Sequence, residues 1–499
     1  MSDTPDFVIV GSGIGGATTA FGLAPTGAEI VILERGERLR DTPETRDLAA
    51  IFRRGVFRPD ETWLDGDGKP FNPGNYYYVG GNSKFFGAVM YRFRAEDFEA
   101  HDHLEGTTVS WPFGYDELEP WYCQAEKLFS VRGQLGDDPT EPYHSEDYPF
   151  PPVPHEAQVE DAAERLRHQG LHPAPLPLSV DVEAWLRRAP TPWDAVPDTF
   201  SGKIDAETGP LARALEFPNV RLVTGANVER LEVDPLGKDV TDVVYRRNNT
   251  EHRICPRTTI LAAGAVNSAV VLLRSDRRKG TGGVGNSSGL VGRYFMNHNA
   301  TAMIAVDVRK SYDTVHAKTL AINDFYFADD EAGVPLGNVQ LLGKVSAPIL
   351  SANLPFWSPE FALRPICRRA LDWYLMSEDL PSAESRVYLD DGRIVLDWQP
   401  TNLKAHGLLV DRMRRIFRRA GYQLIFTKPF GRGEPSHQCG TIRMGTDPAA
   451  AALDPFCRSY DHPNLYVVDA SFLPSSAAVN PSLTIAAQAL RVANHLSAA

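Results

Sequence analysis

The sequence predicts an α/β fold in which a parallel, doubly wound layer is assembled from the start, middle and end of the chain, with an antiparallel-sheet region inserted between them. Three observations carry this reading. Short apolar runs leading into small or acidic residues occur at Phe7 to Val10, Thr258 to Leu261 and Leu465 to Val468. The first run opens directly into Gly11-Ser12-Gly13-Ile14-Gly15-Gly16 and an alanine-rich helix. Between Asn299 and Trp398 the pattern changes to alternating segments such as Ala302 to Val306 and Val339 to Leu342, whose period of two is that of an antiparallel sheet.

The glycine turn is read through its surroundings, since GxGxxG alone is a weak signal in a chain with 40 glycines. Gly11 permits a tight turn, Gly13 lets backbone N–H groups approach a pyrophosphate, and Gly16 lets the helix pack closely on the strand. A second apolar run, Ile30 to Leu33, ends in Glu34, eighteen residues after Gly16, where a carboxylate would accept hydrogen bonds from an adenosine ribose. Strand, glycine turn, helix, strand and acid together make a dinucleotide-binding βαβ unit.

Beyond Glu34 the chain is charged and irregular until Tyr76 to Val79, which precede Gly80-Gly81-Asn82-Ser83-Lys84-Phe85-Phe86-Gly87-Ala88. Small residues between aromatics suit a buried loop whose backbone approaches something flat, although a surface glycine loop has the same composition. An aromatic turn at Trp111 to Phe113 and a helix over Tyr115 to Leu128 follow, then irregular structure from Gly133 to Pro177 broken by a helix near Glu156 to Gln169. Thr208 to Leu215 reads as helix, and Val220 to Val223 and Val228 to Val233 as strands. Thr258 to Leu261 ends in Ala262-Ala263-Gly264-Ala265, a second place for close backbone approach. Arg386 to Leu389, Asp391-Gly392 and Ile394 to Trp398 form a hairpin signal. Lys404 to Ala420 is an amphipathic helix with a solvated arginine face and Gly421 as its stop. In open sheets of this kind ligands sit at the carboxyl ends of the strands, so Gly11, Glu34, Gly264 and Asp469 are expected to face one crevice.

With 499 residues the chain can bury a large core in two or more domains. A net charge of −13 argues against nucleic acid as a partner and otherwise serves solubility. No apolar run approaches the roughly 20 residues of a membrane span, and the N-terminal apolar residues lack the basic flank of a secretory signal. The five cysteines, at 123, 255, 367, 439 and 457, are scattered without zinc-like spacing. A reducing cytoplasm is therefore the expected location, and no metal site is expected, His437 and Cys439 being two donors without further partners.

Two places could carry chemistry. Asn480-Pro481-Ser482 opens the last helix, with Asn480 as N-cap and Pro481 in the first helical position, so its positive end could face an anion such as a reduced flavin. His437 lies in the loop through Gly445, where histidines are commonly solvent-exposed bystanders, yet an imidazole is suited to accept a hydroxyl proton. Cys439 reads as a packing residue.

The N-terminal fingerprint, Gly80 to Ser83, Asn286-Ser287-Ser288-Gly289 with Val291-Gly292-Arg293, the His437 to Gly445 loop and the segment Leu465 to Leu490 together resemble the glucose-methanol-choline (GMC) oxidoreductase family. The resemblance spans the chain and is most specific at the C-terminal end. It implies FAD as the dinucleotide, a Rossmann-like FAD domain of the para-hydroxybenzoate hydroxylase type, and an inserted α+β substrate domain on an antiparallel sheet. The implied division gives 1–98, 199–297 and 434–499 to the FAD domain and 99–198 and 298–433 to the substrate domain. The cofactor contacts it implies are Gly11, Ser12, Gly13, Gly15, Gly16, Glu34 and Arg35; Gly81, Asn82, Ser83, Phe86, Gly87 and Ala88; Val228, Ala263, Gly264, Asp469 and Ala470; and Asn480, Pro481 and Ser482. His437 matches the family's active-site histidine and Asn480 the second member of its catalytic pair.

The implied reaction is oxidation of an alcohol. His437 removes the hydroxyl proton, hydride passes to the flavin, Asn480 holds the oxygen, and O2 or a quinone-like acceptor reoxidises the cofactor. Since Asn82 to Phe86 contains no histidine, noncovalent FAD is expected. Val79 to Arg94 looks most like bacterial relatives of pyranose oxidase, including C-glycoside 3-oxidases. That points to a sugar or glycoside oxidised at a secondary alcohol, the C3 hydroxyl of a pyranose, with Trp357, Phe356 and Tyr374 as stacking surfaces if they are not simply core. The competing readings are a hydroxynitrile lyase-like enzyme that keeps FAD, a dehydrogenase of a non-sugar alcohol, an NAD-dependent dehydrogenase, and a binding module. The oligomeric state is left open.

Overall fold

A computed structural model describes residues 4–188, 191–275, 282–329, 331–352, 360–434 and 437–498. The first βαβ unit, Phe7–Val10, Ile14–Leu23 and Ile30–Leu33, sits within a wider parallel layer. Five strands pair in the order Leu465–Val467, Thr258–Leu261, Phe7–Val10, Ile30–Leu33 and Val220–Val223, so chain segments from both ends and the middle share one sheet. All four pairings are parallel, with Phe7 opposite both Thr258 and Ile30. The strands are near-continuous runs of β-branched and apolar residues because both faces are covered. The helix Ile14–Leu23 lies against the C-terminal helix Ser482–Ala498, where a Cβ on Gly22 would come within 2.6 Å of the Ala493 methyl group.

Two glycines show why this region needs residues without a side chain. Gly11 has φ +101°, and a Cβ there would lie 2.3 Å from the Ala262 carbonyl oxygen. At Gly15 a Cβ would lie 2.0 Å from the carbonyl oxygen of Val468, so the first helix begins almost in contact with the last strand. Packing, rather than the ligand, excludes a side chain at both.

The inserted region is a six-stranded antiparallel sheet in the order Leu424–Pro429, Asn299–Val306, Ala370–Ser377, Asn338–Leu341, Leu320–Ile322 and Pro173–Pro175. Its back is closed by the helix Leu403–Arg419, whose Leu409, Met413 and Phe417 join Trp373 and Leu375 in a separate core. The expected hairpin is Arg386–Asp390 and Arg393–Asp397, turning at Asp391 (φ +48°) and Gly392 (φ +76°), the left-handed pair of a type I′ turn. Its second strand adds to Trp63–Asp65, which ties it to the N-terminal part of the chain. The helix Tyr115–Leu128 likewise packs on the C-terminal helix, where the Tyr122 hydroxyl meets Thr484 Oγ1 at 2.8 Å. The fold is thus the mixed α/β, Rossmann-like arrangement that the sequence predicts.

Candidate active site

A cavity of about 1460 Å³ runs from the glycine turn of the parallel sheet to the face of the antiparallel one. Ligand pockets ordinarily measure roughly 300–1,000 Å³, so this one has room for a dinucleotide and a substrate together. Of the site residues expected from the sequence, all but Ser12, Gly16 and Ala88 line it. Those three sit behind the wall. Ser12 is fully buried and gives its N–H and Oγ–H to Glu34 Oε2 at 2.9 and 2.6 Å. A Cβ on Gly16 would meet the Gly11 carbonyl oxygen at 2.1 Å, and Ala88 is buried with φ +62°. Their contribution is to shape the wall and not to touch its contents.

At the sheet end the donors and acceptors suit a dinucleotide. Gly13 precedes the first helix, and a Cβ on it would meet nothing within 4 Å, so backbone N–H groups at this helix start face open space. Glu34 Oε1 accepts from Gly36 N (2.8 Å), which together with Ser12 fixes the carboxylate at the rim. Burial raises the Glu34 pKa despite these donors. Asp469 likewise holds two segments together, Oδ2 accepting from Gly264 N (3.0 Å) and Ser268 Oγ and Oδ1 from Ser471 N (2.9 Å). Burial pushes its carboxyl up as well. The small-residue loop is anchored from below by Lys84, buried between Asp205 (2.9 Å) and Glu207 (2.5 Å).

At the other end His437 meets its partners by strand register. Met296 and Cys439 exchange backbone hydrogen bonds at 3.0 and 2.9 Å in an antiparallel bridge. Two residues along in opposite directions are His298 and His437, which therefore come face to face. His437 Nδ1 lies 2.8 Å from His298 Nδ1, and His298 Nε2 lies 3.1 Å from the Ser476 carbonyl oxygen. A carbonyl can only accept, so a neutral His298 carries its proton on Nε2 and accepts at Nδ1 from His437 Nδ1–H. The His437 lone pair is then on Nε2, 3.1 Å from Asn480 Nδ2, while Asn480 Oδ1 accepts from Gln340 Nε2 at 3.1 Å. One consistent direction of donation runs through all five groups.

Both rings are neutral at pH 7. Burial lowers the His298 pKa. Burial, reinforced by His298 and the Lys318 ammonium, holds His437 well below 6.5. His437 also adopts φ +75°, a conformation uncommon outside glycine and asparagine. It is thus a half-buried group in a strained loop that lines the cavity, not a surface bystander.

The expected N-cap is corrected. The last helix begins at Ser482, one residue later than predicted, and the Asn480 side chain bonds His437 and Gln340 instead of capping it. Cys439 is fully packed, and burial raises its thiol pKa well above the usual range, as a packing role requires. Tyr374 lines the cavity and packs its ring 5.4 Å from Phe430, whereas Phe356 and Trp357 lie outside the described residues. Sequence reasoning missed His298, Gln340, Lys318 and Asp194. The last two form a part-buried pair at the cavity wall (2.8 Å), with Asp194 also accepting from Gly343 N (2.9 Å). His298 alone had a usable signal, standing five residues after Arg293 in a segment that carries the family resemblance.

Comparison with known proteins agrees with this construction. GMC oxidoreductase family models match residues 194–300 and 381–489, and an NAD(P)-binding Rossmann-like model matches 9–44. The chain is 30% identical to paromamine 6'-oxidase of Streptomyces fradiae over 514 aligned residues, covering 98% of this chain and 90% of that one. It is also 30% identical to 6'''-hydroxyparomomycin C oxidase of Streptomyces lividus, covering 99% and 92%. Pyridoxine 4-oxidase from Mesorbium loti shares the fold, with a TM-score of 0.68 at 21% identity over 99% of each chain. No described helix is long and apolar enough to cross a membrane. A glycine-lined nucleotide end, a histidine at the substrate end and these full-length similarities lead to one assignment: the chain belongs to the GMC oxidoreductase family and is an oxidoreductase of alcohol groups.

Proposed function

We propose that the protein oxidises a hydroxyl group of a sugar or glycoside, with His437 as base and FAD held noncovalently along the glycine-lined wall. The observation that carries this is the neutral His437 whose Nε2 lone pair faces Asn480 inside the cavity. A substrate hydroxyl entering between these groups gives its proton to His437 Nε2 and accepts from Asn480 Nδ2. Gln340 and His298 keep the two side chains aimed, so little reorganisation accompanies proton transfer. FAD, when bound, supplies the hydride acceptor.

Gly11, Gly13 and Gly15 would hold the pyrophosphate, Glu34 the ribose, and the start of the last helix the flavin end. The open space in front of Gly13 fits such a group. The division into a discontinuous FAD domain (1–98, 199–297, 434–499) and a substrate domain (99–198, 298–433) follows this reading, and the free, scattered cysteines support a cytoplasmic location. For the oxidised position, the pyranose C3 hydroxyl rests on the Val79 to Arg94 resemblance. The names of the two Streptomyces relatives favour a second reading, position 6 of an aminosugar, which in a pyranose is the exocyclic carbon.

Anaerobic mixing with monosaccharides, O-glycosides, C-glycosides, aminoglycosides and aliphatic alcohols tests this directly. Bleaching of the flavin by sugar-derived donors is expected, and the identity of the ketone or aldehyde product decides between the two positions. Bleaching by aliphatic alcohols alone would overturn the sugar assignment. Peroxide formation in air then separates O2 from a quinone-like acceptor. Acid precipitation is expected to release the FAD, and colour retained in the pellet would contradict noncovalent attachment.

A further inference from the structure

A second cluster of chemically capable side chains lies behind the active-site loop. His101, His103 and Glu378 come together although the histidines and the glutamate are far apart in sequence, which is why no ligand spacing was legible there. Glu378 Oε2 is 3.2 Å from His103 Nε2 and 3.8 Å from His101 Nε2, and the three donor atoms lie within 4.8 Å of one another. Two ligands on a tetrahedral ion with bonds of about 2.0–2.1 Å stand about 3.3 Å apart, so the His103–Glu378 separation is that of a coordinated pair and His101 would move inward to complete the set.

The cluster is also poorly satisfied. His103 and Glu378 side chains are 2% and 4% exposed, yet His103 Nε2 and Glu378 Oε1 make no aligned hydrogen bond. Among the described residues, no lysine or arginine pairs with the Glu378 carboxylate. Its neighbours enclose a space of about 10 Å³, enough for one small atom. His101 Nδ1 lies 3.2 Å from the Glu99 carbonyl, which places its proton on Nδ1 and leaves Nε2 as a free lone pair, as metal-bound histidines require. Asn402 also lines this space. Its Nδ2 donates to the Glu378 carbonyl oxygen at 3.1 Å and lies 3.4 Å from His103 Nδ1, so the amide sits between the histidine and the backbone of Glu378.

We infer that His101, His103 and Glu378 form a binding site for a divalent transition metal, best matched by Zn²⁺. Two imidazoles and one carboxylate are a borderline donor set of the kind zinc takes. The ion joins the hairpin at Asp102–Thr107 to the end of the strand Ala370–Ser377. The carboxylate of Asp379, the residue after Glu378, accepts from Asn297 N (3.1 Å), its own N–H donates to Ser476 Oγ (3.2 Å), and the Ser476 carbonyl oxygen accepts from His298 Nε2. The site therefore braces the backbone behind the histidine pair, with no part in hydride transfer.

The test uses the full-length flavoprotein without a histidine tag. It is stripped with chelator, equilibrated with ZnCl2, desalted and analysed for zinc and flavin. About one zinc per chain is expected in the wild type and background levels in His101→Ala and Glu378→Gln, with flavin content unchanged. His101 is the partly exposed ligand, so its variant is the one expected to fold normally. Zinc should also raise the melting temperature of the wild type by a few degrees and leave that of His101→Ala unmoved. Equal zinc retention by wild type and His101→Ala, or none by the wild type, would overturn the assignment.

Discussion

Around the first strand the cavity wall is made of backbone, while around His437 it is made of side chains. The glycine end brings together N–H groups, a helix start and two carboxylates that hold loops in place. The histidine end depends on four side chains from four separated segments, aligned by one antiparallel bridge. The difference teaches where each end is vulnerable. A backbone wall fails when a side chain is added, and a side-chain wall fails when one is removed.

The largest effect is therefore expected from adding a methyl group at Gly11. Gly11→Ala places a Cβ 2.3 Å from the Ala262 carbonyl in a left-handed conformation, which should cost about 3 kcal/mol or more. Folded, flavin-bearing protein should be lost. Gly13→Ala is the control, because its Cβ meets no protein atom. Its apoprotein should melt near the wild-type temperature while FAD binds more weakly. Similar apoprotein melting for both variants would remove the distinction between packing glycine and ligand-facing glycine.

At the other end, His437→Asn removes the base while tolerating the left-handed backbone at this position. FAD content should be retained and the rate of anaerobic flavin reduction should fall by about 10²–10⁴-fold. In the wild type that rate should stay flat between about pH 8 and about pH 6.5, because burial keeps His437 neutral through this interval. Near-normal reduction by the variant would remove His437 from the mechanism.

A smaller loss is expected for His298→Leu. It leaves His437 Nδ1–H without its acceptor, a cost of roughly 1–2 kcal/mol, or about five- to thirtyfold in rate. Flavin content should be unaffected and the loss should lie in the reduction step rather than in KM. A change in KM alone would give His298 a role in substrate binding instead of in positioning the base.

The same contrast explains what could be read from the sequence. The glycine end is legible because a turn, a close approach and a strand must follow one another within a few residues, so Gly11 to Glu34 carries its geometry in contiguous text. Asp391-Gly392 was legible for the same local reason. Gln340 is not, because its neighbours are set by sheet pairing between distant segments, and neither is the Lys318–Asp194 pair, whose members meet across 124 residues of chain; His298 had only its place near Arg293 to mark it, and its partner is set by the bridge at Met296. Asn480 shows the limit of a local rule: Asn before Pro reads as a helix cap, and only the facing sheet shows that its amide is spent on His437 and Gln340.

Acid should separate the two ends by sign. His406 lies on the helix behind the antiparallel sheet, between Thr301 Oγ1 (2.8 Å) and Ser377 Oγ (3.0 Å), and burial lowers its pKa to about 4. The unfolded chain takes up this proton near 6.5 and the folded chain only near 4, so the stability His406 contributes is complete above 6.5. It is lost as pH falls through that interval, by at most about 3 kcal/mol. Glu34 and Asp469 at the glycine end are carboxyls whose pKa burial raises. For them the folded chain binds the proton first, so their contribution grows as pH falls toward the ordinary carboxylate range. Amide hydrogen exchange at about pH 7 and about pH 5, corrected for intrinsic rates, should show protection falling in Asn299–Val306 and Leu403–Arg419 more than in Phe7–Leu23. Equal loss in both segments would mean that the antiparallel sheet and the parallel layer open as one unit, and the division between a backbone-built and a side-chain-built end would not extend to stability.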